Sequence, residues 1–163
     1  MPLLYYEKRE LDMTQDEVYT LRAIELAKQA AEHGNEPFGA LLVKGDEIMM
    51  EGENQIFSQN EPTYHAELGL IRRYCHETGI TDLSEYTLYS SCEPCFMCSG
   101  GIVWAKVGRL VYSAYDKDYC DIRGFKSNDC SDLIFELSPV RPEVKKGVLR
   151  ELGIQVLKNY FKD

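Results

Sequence analysis

Two short stretches hold most of the residues able to do chemistry: Thr63-Tyr64-His65-Ala66-Glu67 and Ser91-Cys92-Glu93-Pro94-Cys95-Phe96-Met97-Cys98. Taken singly, each is weak. A lone His-x-Glu is most often an ordinary helical pair. A lone Cys-x-x-Cys can be a redox couple, half of a structural zinc site or two buried thiols. Together they point to a metal. Cys95 and Cys98 are three residues apart, so in the first turn of a helix both sulfurs can meet one ion. A helix N-terminus favours negative charge and lowers a thiol pKa, which suits thiolate ligands. Pro94, just ahead, is compatible with a helix beginning here, because its missing N–H costs nothing at that end.

His65 likewise falls at the start of its helix. Two such starts pointed at one another place three ligands around Zn²⁺ and leave the fourth tetrahedral position for water. That open arrangement is catalytic, whereas a structural site is normally closed by four ligands. Glu67 sits at i, i+2 from His65, and in a regular helix it would point away. Both can face one metal only at the frayed end of the helix, where the longer Glu67 side chain can reach the water without ligating the ion. Zinc can lower the pKa of bound water from 15.7 to roughly 7, and Glu67 could then accept its proton and deliver it to a substrate. Cys92 is read as a neighbouring thiol, since a fourth ligand would close the open position. Cys120 and Cys130 read as ordinary loop or core residues.

The elements that must position these groups alternate between helix and strand. Thr14 and Glu17 form a capping box ahead of a helix with Val18, Leu21, Ala27, Ala30 and Ala31 at helical spacing, stopped by Gly34. Two strands, 39–43 and 47–51, flank the Lys44-Gly45-Asp46 turn. After a loop over 53–62, a helix over about 64–77 carries Leu68, Ile71 and Cys75 and stops at Gly79. A strand over 86–90 precedes a helix after Pro94 with Met97, Ile102 and Trp104, and another strand spans 109–114. The stretch 116–131 reads as a polar, irregular and functional connection. The tail over 147–160 places Leu149, Leu152, Val156 and Tyr160 on one helical stripe, with Gly153 inside it costing roughly 1 kcal/mol relative to Ala. The pattern implies an α/β domain with helices covering both sheet faces. No repeat, linker or composition break divides it, so 1–163 reads as a single domain.

The charge balance is 18 basic against 27 acidic residues, a net of −9. Such an excess repels phosphate backbones unless basic groups are locally concentrated. The pairs Lys8-Arg9, Arg72-Arg73 and Lys145-Lys146 are far apart in sequence and read as solvated surface. The start, Met1 to Lys8, has no sustained apolar stretch of a secretory signal, and no apolar run approaches the roughly 20 residues of a membrane-spanning helix. A cytoplasmic protein with reduced cysteines is expected.

The combined pattern, His65-Ala66-Glu67 with Pro94-Cys95-Phe96-Met97-Cys98, resembles the zinc-dependent cytidine deaminase superfamily. The resemblance runs from Asn35-Glu36-Pro37-Phe38-Gly39-Ala40 to the tail helix. It implies a three-layer α/β/α fold around a mixed five-stranded sheet, assembled as a homodimer. It makes His65, Cys95 and Cys98 zinc ligands and Glu67 the proton shuttle. Asn54 matches an asparagine that hydrogen-bonds the base in related enzymes, and Ala66 a position whose backbone lines the base pocket. Phe38 and Trp104 are candidate aromatic walls, with core packing the alternative role.

The implied reaction is hydrolytic deamination, releasing ammonia from an exocyclic amine. The segments Pro37-Phe38-Gly39-Ala40 and Thr81-Asp82-Leu83-Ser84, with Trp104, look like bacterial guanine deaminases. Those enzymes carry Gly-Phe-Asp-Asp where this chain has Gly124-Phe125-Lys126-Ser127, leaving Asp129 as a substitute acid. The tail, with Glu143-Val144, Gly147-Val148-Leu149 and Lys158-Asn159-Tyr160-Phe161, is similar to tRNA adenosine deaminases, although Trp104 replaces their usual histidine. The acidic charge favours a free nucleobase or nucleoside, a guanine-like purine first, with wobble-position tRNA editing as the alternative. A zinc-stabilised binding module without turnover is the non-enzyme alternative, and Glu67 argues against it.

Overall fold

The computed structural model describes residues 12–127 and 129–161. The Met1–Lys8 stretch and the Lys8-Arg9 pair lie outside the described residues. The first helix, α1 (Gln15–Glu32), opens on the expected capping box: Thr14 Oγ1 accepts from Glu17 N at 3.2 Å, and Thr14 N donates to Glu17 Oε1 at 3.3 Å. Its buried face is Tyr19, Ala23, Ile24, Leu26, Ala27 and Ala30, while Val18 faces solvent. The apolar stripe expected to include Val18 is therefore rotated towards the alanines. Gly39 shows why: a Cβ there would lie 2.4 Å from Ala23 O and 2.5 Å from Ala27 N. The helix rests directly on the sheet, and only small residues fit the contact.

Strands β1 (Gly39–Lys44) and β2 (Glu47–Glu53) form the expected hairpin. A short helix, α2 (Ile56–Gln59), follows in the segment read as a loop, and then α3 (Ala66–Thr78), which ends at Gly79 in the left-handed region. Next come β3 (Tyr86–Cys92), α4 (Phe96–Trp104) and β4 (Arg109–Ala114). The chain finishes with α5 (Asp116–Arg123), α6 (Cys130–Glu136), β5 (Glu143–Lys145) and α7 (Arg150–Phe161).

The five strands make one mixed sheet in the order β2-β1-β3-β4-β5, antiparallel from β2 to β3 and parallel from β3 to β5. Period-two alternation sends Leu42, Leu88, Leu110 and Tyr112 into a core beneath α3, α4 and α6. It sends Leu41, Val43, Tyr89 and Val111 into a second core beneath α1. With α7 beside α1, the result is the expected three-layer α/β/α arrangement.

Two stretches depart from expectation. The segment 116–131 is not irregular: α5 fills its first half and α6 begins at its end. Helix α5 buries only Cys120 completely, so no apolar stripe announces it. It is set by charge instead, with Asp118 Oδ2 accepting from Tyr115 N at 2.8 Å and both carboxylate oxygens gripped by Arg150 at 2.7 and 2.9 Å. The tail helix begins at Arg150, not 147, and buries Gly153, Val156 and Leu157. Leu152 and Tyr160 are exposed. The reason lies at Gly153, where a Cβ would meet Ser113 Oγ at 2.4 Å. The glycine turns inward because α7 crosses β4 at backbone contact.

Candidate active site

The site is built from two helix starts and two strand ends. His65 is the N-cap of α3 and Cys95 the N-cap of α4, both with extended backbone; the His65 side chain makes no bond to its own helix, while Cys95 meets Cys98 in the first turn of α4. A serine or aspartate at an N-cap normally satisfies one of the free helix N–H groups. Here both caps turn their side chains towards each other. His65 Nδ1 lies 3.5 Å from Cys95 Sγ. With Cys98, buried one turn into α4, the three ligand atoms lie within 4.8 Å of one another, the one such group among the described residues. The extended backbone at His65 is also what lets Glu67 turn to the same side.

The electrostatics fit a soft dication. The Cys95 thiol is pushed down to about 4, chiefly by the hydrogen bond from Cys98, with His65 contributing, and the same bond drives Cys98 upward. Cys95 in turn raises His65. The group thus offers an imidazole and two sulfurs, with Cys95 biased towards the thiolate, the N/S donor set that zinc prefers. All six cysteines are free, and Cys92, at the end of β3, is not one of the three.

Glu67 is 4% exposed. Burial raises its carboxyl above the ordinary range, and a hydrogen bond from Ser90 partly offsets the shift. Ser90 Oγ lies 2.7 Å from Glu67 Oε1 and 2.7 Å from the Cys92 carbonyl. A buried acid shifted this way, beside three atoms able to ligate a metal, holds its proton more readily than an ordinary carboxyl.

Beside these groups opens a cavity of about 150 Å³ lined by Glu36, Phe38, His65, Glu67, Cys92, Glu93, Cys95, Asp116 and Tyr119. Of the substrate contacts expected from sequence, Phe38 lines it, its ring 5.9 Å from that of Tyr119 and 6.4 Å from that of Phe161. Asn54, Ala66 and Trp104 lie outside the lining. Asn54 is buried just beyond β2, its Oδ1 accepting from Ile56 N at 3.1 Å. Ala66 is in the core beneath α3. Trp104 is 87% exposed at the end of α4, so it is no wall of this cavity. Asp129, the substitute acid, is exposed at the N-cap of α6 and also outside the lining.

Sequence reasoning missed Glu36, Glu93, Asp116 and Tyr119. Glu93 was visible inside the cysteine motif. Asp116 and Tyr119 follow the carboxyl end of β4, where parallel sheets place their ligands, and that rule would have found them.

A model of the cytidine and deoxycytidylate deaminase zinc-binding region matches residues 13–114, more than half of the chain. The chain belongs to this family of zinc-dependent deaminases. It is thereby a hydrolase of C–N bonds, and zinc is the metal its three ligand atoms fit. Among relatives, the guanine deaminase of Bacillus subtilis (strain 168) is 42% identical over 103 residues, covering 63% of this chain and 66% of that protein. The tRNA-specific adenosine deaminase of the same organism is 34% identical over 156 residues, covering 93% of this chain and 91% of that protein. In fold, the guanine deaminase of Nitrosomonas europaea superposes with a TM-score of 0.77 at 22% identity, over 90% of this chain and 85% of that one. No helix among the described residues is long and apolar enough to cross a membrane.

Proposed function

We propose that this deaminase acts on a free nucleobase, a guanine-like purine first, and that His65, Cys95 and Cys98 hold its zinc. The observation that carries this reading is the cavity itself. About 150 Å³ is a space that admits one small ring, as an apolar cavity of that size admits benzene. Its lining contains four carboxylates and neither lysine nor arginine, which suits a neutral ring rich in N–H donors and repels a phosphate.

Zinc, when bound, supplies Lewis acidity to the reaction. The remaining work belongs to the chain. Glu67, held through Oε1 by Ser90, accepts a proton from the attacking water and returns it to the substrate. Ser90 has one hydroxyl proton for two neighbours. It donates to Glu67 when the carboxyl is ionised. When Glu67 carries the transferred proton on its other oxygen, Oε1 still accepts from Ser90. Both states of the shuttle therefore stay hydrogen-bonded. Phe38 and Tyr119 offer ring faces for packing a planar substrate.

A second reading, tRNA adenosine deamination, is favoured by one groove of about 650 Å³ lined by Gln59, Glu61, Tyr64, Gly69, Arg72, Arg73 and His76. It begins one residue from His65 and gathers cations that the sequence alone assigned to plain surface. Assembly as a homodimer is part of the proposal. Phe96 and Trp104 on α4, Leu133 on the neighbouring α6 and Leu137 just after it are exposed apolar side chains of the kind that mark an interface.

An ammonia-release screen over purines, pyrimidines, their nucleosides and an anticodon hairpin tests the choice. Release from guanine or another free base supports the first reading. Inosine formation in the hairpin with steep salt dependence, and none from free bases, replaces it with the second.

A further inference from the structure

The four carboxylates of the cavity are not equivalent. Glu67 is engaged by Ser90. Glu93 accepts from Asp116 N through Oε1 at 3.1 Å and from Ser131 Oγ through Oε2 at 2.5 Å. Asp116 Oδ2 accepts from Ser127 Oγ at 3.1 Å, with Cys120 Sγ at 3.6 Å. Glu36 alone has no side-chain hydrogen bond or ion pair among the described residues, although it lines the same cavity.

It is not free because its segment is loose. Asn35, 1% exposed, accepts from Phe57 N and Ser58 N at 3.0 Å each and donates to Ser58 Oγ at 3.1 Å. On the other side Pro37 is buried, Phe38 N donates to the Glu36 carbonyl at 2.9 Å, and the Phe38 carbonyl accepts from Asn54 N at 3.0 Å. The backbone on both sides of Glu36 is fixed, and the carboxylate it presents is unspent. A group held in this way is preorganised for a ligand, because little ordering remains to be done on binding.

We infer that Glu36 is a specificity-determining residue, whose carboxylate accepts the imidazole N–H of the bound base and thereby selects free bases over ribosylated ones, which keep N1–H but have lost that donor. The inference rests on the free-base reading above. The chemistry distinguishes the candidates. Guanine, with its exocyclic amine given to the reaction, still offers N1–H and an imidazole N–H. A nucleoside has lost the imidazole N–H to the sugar, and adenosine offers no ring N–H at all. A site built around an acceptor discriminates strongly against a ligand lacking the matching donor.

The test uses zinc-loaded full-length protein, with kcat and KM measured separately for guanine, 1-methylguanine, 9-methylguanine and guanosine. For the wild type, 9-methylguanine and guanosine should show a KM about 10- to 100-fold above that of guanine, the factor expected for a hydrogen bond to a charged group; a penalty on 1-methylguanine alone overturns the inference. E36Q and E36A should raise KM for guanine by a similar factor, with kcat changed little, and should lose the discrimination between guanine and 9-methylguanine. E36D, which keeps the charge, should fall between and serves where E36A folds poorly. A wild type inactive on every free base overturns the free-base reading and this inference with it. A wild type active on guanine, with E36Q, E36A and E36D all within about twofold in KM, overturns the inference alone.

Discussion

Ser90 Oγ stands 2.7 Å from Glu67 Oε1 in the interior of the protein, the only hydrogen-bonding side chain among the described residues that holds this carboxylate outside the cysteine pair. Because the bond lowers a carboxyl that burial raises, S90A should push Glu67 further up. If Glu67 must be ionised to accept a proton, the acid limb of the pH–rate profile moves to higher pH in S90A, with activity on that limb falling about 10- to 100-fold relative to wild type. Measuring the profile over pH 5 to 9 checks both. An unmoved limb would assign Ser90 to structure only.

Replacing Glu67 by Gln keeps its size and removes its proton chemistry. E67Q should bind about one zinc per chain, as one three-ligand site requires, and should release ammonia about 10²- to 10⁴-fold more slowly. Metal analysis and turnover on the same sample separate the two roles. Near-normal turnover would mean that another group moves the proton.

Asp16 ties the first turn of α1 to three strands. Its carboxylate accepts from Tyr89 Oη at 2.7 Å, from Arg109 Nη1 and Nη2 at 2.7 and 2.8 Å, and from Lys145 Nζ at 3.0 Å. Chiefly through Arg109, these bonds hold the carboxyl well below its ordinary value. The depressed group adds stability above its unfolded pKa of about 3.9 and loses that contribution as pH falls through the folded value. D16N should therefore cost about 1–3 kcal/mol at pH 7. The gap from wild type should shrink below pH 4 in urea melts recorded across that range.

At Gly153 two effects oppose each other. Helix propensity alone makes G153A stabilising by about 1 kcal/mol. The new methyl would lie 2.4 Å from Ser113 Oγ, which is itself held by its bond to Leu149 O at 2.9 Å. Overpacking of this kind costs about 1–3 kcal/mol, so the denaturation midpoint should fall. A rise would show that α7 can slide.

If α4 supplies a contact between two copies, W104E should convert a dimer to a monomer in sedimentation while leaving zinc content unchanged. A wild type that is monomeric at micromolar concentration removes the homodimer from the proposal.

The metal-binding group was legible because the chemistry demands particular atoms at particular spacings, and His65, Cys95 and Cys98 have few other reasons to recur in that pattern. The sheet was legible from alternation in strands such as Arg109–Ala114. What failed depended on contacts distant in sequence. The exposure of Val18 is decided by Gly39, the orientation of α7 by Ser113, and the existence of α5 by Arg150. A large aromatic near the cysteines leaves both a substrate wall and core packing open for Trp104, and the last residue of α4 takes neither role, pointing to solvent. Glu36 was overlooked because an acid beside a proline carries no signal until Asn35 is seen to anchor it.

Because His65 and Cys95 stand at the starts of two different helices with Nδ1 and Sγ 3.5 Å apart, a cation held between them would also act as a cross-link. It would close a loop of about thirty residues between two helix starts, a constraint that restricts the unfolded chain as well. A chelator would therefore strip away more than reactivity: it would loosen the beginnings of α3 and α4 together, so that metal starvation becomes visible to proteases before it is visible as lost secondary structure.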